Sequence, residues 1–304
     1  MGIKTLRTEK LTWVNITSLD AESLAYLREH YSFHHLDMED IQGDSQTPKI
    51  DTYKNYLFIV LQFPQWKSSI QSIIPHGLDI FIGQDYLITI QHSKSKDMKN
   101  FFYRCMKNKS VKNDWMSQSS GYLLYKLLEA LFKNTQPILN NMGKQLSLVE
   151  DKIFQEEQDI HVVKQLAMHR RNILQFRRII DPQRHLIANM SHIRKPFLNE
   201  ETSLYFDNIN DYLSKLWSIV DTYKDTVDGL HVTTESLITQ RTNKVIRLLT
   251  TISVALLPFT VLSSIYGMNI RALPYAQHPF GVWLMFGFLT VVVVVAILFM
   301  RKKF

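Results

Sequence analysis

Ile246, Leu249, Ser253, Leu257, Thr260 and Ser264 recur three or four positions apart, which puts them on one face of any helix that carries them. The surrounding stretch, Leu248–Tyr266, also holds Thr250, Thr251, Ser263 and a central Pro258. Hydroxyls and a proline within an apolar helix suit either of two settings. They can line a water-filled path as neutral oxygen acceptors, or they can form a packing seam against neighbouring helices. Spacing alone leaves both open. Constellations for covalent or hydrolytic chemistry are missing. The eleven histidines contain no His-Glu-x-x-His, and the chain has neither a Gly-x-Ser-x-Gly elbow nor a P-loop. Glu39-Asp40 and Glu156-Glu157 are adjacent acidic pairs, and neighbours on a helix do not face one another. They are read as solvated. Cys105 is the sole cysteine, which excludes an internal disulfide and a cysteine-built zinc or iron–sulfur site within one chain. An enzyme is not expected.

The elements that would carry the hydroxyl face are strongly apolar. Phe280 to Met300 is 21 residues without a charge, with Thr290 the one hydroxyl. At 1.5 Å per residue it crosses a hydrocarbon core of roughly 30 Å. From Leu248 to Met300 the only charged side chain is Arg271. Two membrane spans joined by a short loop are therefore predicted. Arg241, Lys244 and Arg247 precede the first span, and Arg301, Lys302 and Lys303 follow the second. Positive residues stay inside, so both termini are expected in the cytoplasm, with 267–279 outside. The N-terminus shows no apolar signal and no transit-type pattern, which favours a prokaryotic plasma (inner) membrane. A net charge of +7 and a pI of 9.3 could suggest nucleic acid. The basic residues are scattered and not interleaved with aromatics, so no nucleic-acid partner is expected.

The first part of the chain carries strand signals in Leu11–Ile16, Tyr56–Phe63, Ser72–Ile82 and Tyr86–His92, each rich in β-branched and aromatic residues. Asp20–Tyr31 and His35–Ile41 read as helical. From Ser120 onward the pattern is amphipathic helix, giving α+β followed by all-α. Between Pro196 and Pro258 there is no proline, and Gly229 is the only glycine. Ser203–Tyr266 is therefore predicted to be one helix of about 90 Å at the standard rise. Within it, Tyr205, Ile209, Tyr212, Leu216, Ile219, Tyr223, Val227 and Leu230 follow a 3.5-residue rhythm. Such a seam serves either packing against the 120–192 helices or a ring of stalk helices about an axis. The expected organisation is 1–120 cytoplasmic α/β part, 121–202 helical part, 203–247 stalk and 248–266 first span. A loop at 267–279, a second span at 280–300 and a basic tail at 301–304 complete it.

At the end of the first span stands Tyr266-Gly267-Met268-Asn269. Together with Asn243-Lys244-Val245, Leu249-Thr250 and Leu257-Pro258-Phe259-Thr260, this tetrapeptide resembles the stalk-to-pore signature of the CorA family of magnesium and cobalt transporters. His34-His35-Leu36-Asp37-Met38-Glu39-Asp40, Pro48-Lys49-Ile50, Tyr53, Tyr56-Leu57-Phe58 and Asp79-Ile80-Phe81-Ile82-Gly83 resemble its N-terminal part. The likeness covers essentially the whole chain. It implies a homopentamer in the bilayer with an α+β cytoplasmic funnel that senses Mg2+, long stalk helices, pore-lining first spans and lipid-facing second spans. It also implies passive, potential-driven entry of Mg2+, with Co2+ or Ni2+ as further cargo. A divalent ion gains roughly 4.6 kcal/mol across 100 mV, twice the single-charge value. No organic cofactor is implied. By this resemblance Tyr266, Gly267, Met268 and Asn269 form the selectivity filter. Thr260 would be a polar pore ring, and Leu257 and Ile246 would be apolar constrictions that gate by dewetting. Mg2+ dehydrates reluctantly, so neutral acceptors such as the Asn269 amide would select the hydrated ion through its water shell. Gly267 would permit backbone geometry closed to other residues and expose a carbonyl at the negative pole of the helix.

Three departures from the family pattern stand out. The loop Ile270–Pro279 carries no acid, reads Ala272-Leu273-Pro274-Tyr275 where relatives have a Met-Pro-Glu-like segment, and contains Arg271 and His278. A lone exposed histidine is read as a loop residue, since metal sites want several ligands. Asn208 stands where relatives use an aspartate for regulatory magnesium, leaving Asp207 and Asp211 as substitutes, with weaker gating expected. Val232 replaces an aspartate at the cytoplasmic pore end, near His231 and Glu235. Another divalent metal such as Zn2+, or a non-conducting metal sensor, are the competing readings.

Overall fold

The computed structural model describes residues 2–43, 47–155, 160–269 and 280–303. The outer loop Ile270–Pro279, with Arg271, the Ala272–Tyr275 segment and His278, lies outside the described residues, as does Glu156-Glu157. The chain divides into two compact units, Met1–His231 and Val232–Phe304.

In the first unit, β1 (Ile3–Arg7), β2 (Thr12–Ile16), β3 (Lys49–Thr52), β4 (Leu57–Lys67), β5 (Ser72–Ile82) and β6 (Tyr86–Gln91) form one sheet, ordered β1-β2-β6-β5-β4-β3. Only the β2–β6 pair is parallel; the other pairs are antiparallel. The four strands predicted from their residue types are all present. The edge strands β1 and β3 were not, because they are short, and β3 is part-exposed with two charged residues of four.

Side chains alternate across the sheet with the strand period of two. On one face Val14, Ile16, Phe58, Val60, Phe81, Ile88 and Ile90 enclose Leu27 of α1 (Ala21–His30) and Met38 of α2 (His35–Asp40). On the other, Trp13 meets Phe102 of α3 (Lys96–Lys107) edge-on at 4.8 Å. Phe63 meets Phe132 of α5 (Ser120–Lys133) at 4.9 Å. The sheet is thus covered on both faces. Helix α3 and α4 (Lys109–Met116) lie where sequence reading left no element. The buried Met98, Phe101, Phe102 and Cys105 of α3 show the helical spacing that identifies it.

The apolar stretch after Ser120 breaks at Asn134–Thr135 into α5 and α6 (Gln136–Phe154). Pro137 opens α6, where its missing N–H costs nothing. Helix α7 (Ile160–Met190) follows. Its fully buried Gln183 exchanges hydrogen bonds with the backbone of Gln62 in β4, clamping helix to sheet.

Helix α8 runs unbroken from Glu200 to Tyr266, and α9 spans Gly281–Lys303. The 3.5-residue rhythm of α8 resolves in favour of packing within the chain. Tyr205 stacks on Tyr125 at 4.6 Å, the Tyr212 hydroxyl donates to Gln136 at 3.1 Å, and Ile209, Leu216, Val227 and Leu230 are buried. A Cβ at Gly143 of α6 would overlap the Tyr223 hydroxyl, so the glycine makes room for Tyr223 of α8 where it stands. Arg170 and Arg177 of α7 pair with Asp228 and Asp221 of α8 at 2.8 and 3.3 Å.

Candidate ion-conduction site

The second unit is built from the C-terminal part of α8 and from α9. Among the described residues, α8 is the one helix long and apolar enough to cross a bilayer, and its apolar window is nowhere buried. The described apolar run of α9, Gly281–Val295, is shorter. Ile246, Leu249 and Leu257 are 54%, 58% and 61% exposed, and Ser253, Thr260 and Ser264 are exposed beside them. The whole predicted face is therefore bare in the single chain. A large apolar surface of this kind needs lipid or other helices against it.

Along this stretch of α8 the threonines follow one pattern, with Thr260 on the face itself. The hydroxyls of Thr250, Thr251 and Thr260 donate to the carbonyls four residues earlier, at 2.8, 2.9 and 3.1 Å. The proton is thus spent on the helix, and the oxygen lone pairs remain as acceptors. Pro258 removes the N–H that would bond the Val254 carbonyl, freeing a further acceptor.

Helix α8 closes at the tetrapeptide. The Gly267 amide donates to Ser263 at 2.9 Å and the Met268 amide to Ile265 at 3.2 Å. The tightened last turn leaves later carbonyls at the negative helix pole without intrahelical donors. Asn269 is exposed, and its side chain has no partner among the described residues. The expectation that Gly267 adopts a glycine-only backbone conformation is corrected: no described glycine has a positive φ. A Cβ there would lie 3.2 Å from the Ser263 carbonyl oxygen, a tight contact. Beside the motif, the Tyr266 hydroxyl donates to the Met285 sulfur at 3.0 Å, and Phe259 stacks on Phe286 at 6.2 Å.

The other predicted site residues lie in the first unit or at its end. Asp207, Asn208 and Asp211 sit on the exposed side of α8, opposite buried Phe206, Ile209 and Leu213. Among the described residues the single chain gathers no metal-ligand cluster from these three. Val232 is 62% exposed.

The residues that carry the N-terminal likeness turn out to be architectural. Asp37 is buried and accepts from the hydroxyls of Tyr53 and Tyr56 at 2.8 and 2.7 Å. Asp37, Asp40 and Asp51 bring carboxylate oxygens within 4.8 Å of one another. Lys49 already bonds Asp40 and Asp51, at 2.5 and 2.6 Å. Burial alone would lower the Lys49 pKa, but the two carboxylates outweigh it and raise it. Asp79 is buried and holds His92 Nε2 at 2.6 Å. Sequence reading missed these pairings, because partners such as Asp37 and Tyr56 carry no shared local pattern.

Comparison with known proteins gives a consistent result. The sequence model of the family described as CorA-like Mg2+ transporter protein matches residues 8–302. The chain is 25% identical over 293 residues to the cobalt/magnesium transport protein CorA of Thermotoga maritima, covering 96% of this chain and 82% of that protein. The zinc transport protein ZntB of Yersinia enterocolitica is 20% identical over 277 residues, covering 90% and 81%. The structure superposes on the CorA magnesium transporter of Methanocaldococcus jannaschii with a TM-score of 0.82 at 21% identity, over 98% of this chain and 93% of the other.

Proposed function

The chain belongs to the CorA-like Mg2+ transporter family of divalent-cation transporters, and we propose that it acts as a channel for passive Mg2+ influx, with Co2+ or Ni2+ as further cargo. The observation that carries this reading is the bare α8 face, running from Ile246 to Ser264 and ending in Gly267-Met268-Asn269, with the Asn269 amide unpartnered among the described residues. A single chain does not enclose a path. Five copies arranged about an axis would turn these faces inward as the pore, with α9 toward lipid and both termini in the cytoplasm of the cell membrane. Asn269 and the terminal carbonyls of α8 would hold the hydrated ion through its waters. The Leu257, Leu249 and Ile246 rings would close the path by dewetting. The first unit would form the funnel, with Asp207, Asn208 and Asp211 as the regulatory ion surface between copies.

The test is Mg2+ uptake into liposomes that contain the purified protein and an internal magnesium dye. Flux is expected in the wild type and lost in Asn269→Ala, with the oligomer intact by size-exclusion chromatography; unchanged flux in the variant removes the filter role. The likeness to ZntB favours one second reading, transport of Zn2+. Zinc entry without magnesium entry would select it. Silence for every divalent ion would favour a metal sensor.

A further inference from the structure

We propose that the soluble unit carries an anion pocket where the head of α3 meets β1, β2 and β6, suited to a small phosphorylated anion. The cavity holds about 240 Å3 and is bordered by Lys4, Asn15, Gln91, Lys94, Ser95 and Lys99, with Phe102 and Tyr103 as part of its wall. Three lysines line it and no carboxylate does. None of the three is ion-paired among the described residues. Lys4 donates to the neutral Tyr103 hydroxyl at 2.9 Å, which leaves its charge uncompensated. The acid nearest in sequence, Asp97, does not line the cavity.

A second observation is independent of these charges. Asn15 is 2% exposed, and its Oδ1 accepts from Thr89 Oγ1 at 3.1 Å and from Gln91 Nε2 at 3.0 Å. Those two bonds fix which way the amide is turned. Its Nδ2 therefore presents two protons to the remaining side, finds no acceptor among the described residues, and belongs to a residue that lines the cavity. An anion oxygen in the cavity would supply one. Gln91 is also used on both ends, since its Oε1 accepts from the Ser95 amide at 3.3 Å. Ser95 caps the 12-residue α3, whose positive pole thus lies at the cavity edge. Ammonium groups at several corners and one fixed amide donor match a phosphate group, which offers three terminal oxygens and close to two negative charges. A metal cation would be repelled by the three ammonium groups there.

The experiment is calorimetric titration of the full chain in detergent, in magnesium-free buffer, with inorganic phosphate and separately with a hexose phosphate. Saturable binding of one anion per chain is expected, at least tenfold weaker in the double variant Lys94→Met/Lys99→Met. Both lysines are exposed, so that variant should fold. A control, Lys126→Met, should bind like the wild type. Tighter binding of the ester would identify a phosphorylated metabolite as the ligand, and equal binding would identify free phosphate; either supports the pocket. Absence of saturation overturns the proposal. So does equal weakening by the control variant, or full suppression of binding by chloride at matched ionic strength.

Discussion

The Tyr266 hydroxyl donates to the Met285 sulfur at 3.0 Å, one residue before Gly267. Two helical turns earlier, Phe259 stacks on Phe286 at 6.2 Å. Helices α8 and α9 therefore meet at two contacts, one of them immediately before the Gly-Met-Asn tripeptide. Sulfur is a weak acceptor, so the bond serves position more than stability.

Tyr266→Phe keeps the ring and removes the donor. At up to about 1 kcal/mol for such a bond, conduction is expected to fall by roughly fivefold at most, with the oligomer preserved. Liposome flux beside a size-exclusion profile checks this. Flux identical to wild type would show that the contact does not set the filter.

Asn208→Asp would place a third carboxylate on the exposed α8 face of Asp207 and Asp211. Asn208 is exposed, so the exchange should be tolerated. Mg2+ inhibition of flux is expected at lower internal concentration and with a steeper dependence. An unchanged inhibition curve would remove this face from gating.

Gly143→Val would drive its side chain into the Tyr223 hydroxyl. Overpacking of this kind costs about 1–3 kcal/mol, and the change should separate α6 from α8. Chemical denaturation of the full chain in detergent reads it as a lower midpoint. A midpoint equal to wild type would mean that Tyr223 swings away freely.

His76 is buried with Nδ1 2.6 Å from Ser93 Oγ, while its Nε2 has no hydrogen-bond partner among the described residues. Burial, and then the nearby His92, push its pKa down to about 4 from the usual 6.5. The folded state thus resists a proton that the unfolded state accepts. Its contribution is intact above pH 6.5 and is lost as pH falls toward 4, by about 3 kcal/mol in all. His76→Gln removes this titration, so the variant's stability should fall less steeply over that window. Parallel curves for the two proteins would refute the assignment.

Much of this protein is legible without coordinates because its strongest signals are one-dimensional. An apolar run that carries Arg271 as its one charge marks the membrane-seeking end, and hydroxyls spaced by helical period mark one face of it. Strands such as Tyr86–Gln91 declare themselves through β-branched and aromatic residues, whereas the short polar β3 does not. Periodicity also placed Tyr205, Ile209 and Leu216 on a seam, but it could not say against what. The same rhythm suits a neighbour within the chain or in another copy. Tertiary structure decided that, by seating the seam on α5 and α6 through Tyr125, Gln136 and Gly143. It also decided that Asp37 holds Tyr53 and Tyr56, that Lys49 fills the space between Asp40 and Asp51, and that Asn15 stands at the wall of a lysine-lined cavity. Each of these depends on distances between residues far apart in the chain, and a local pattern of residue types contains no such distances.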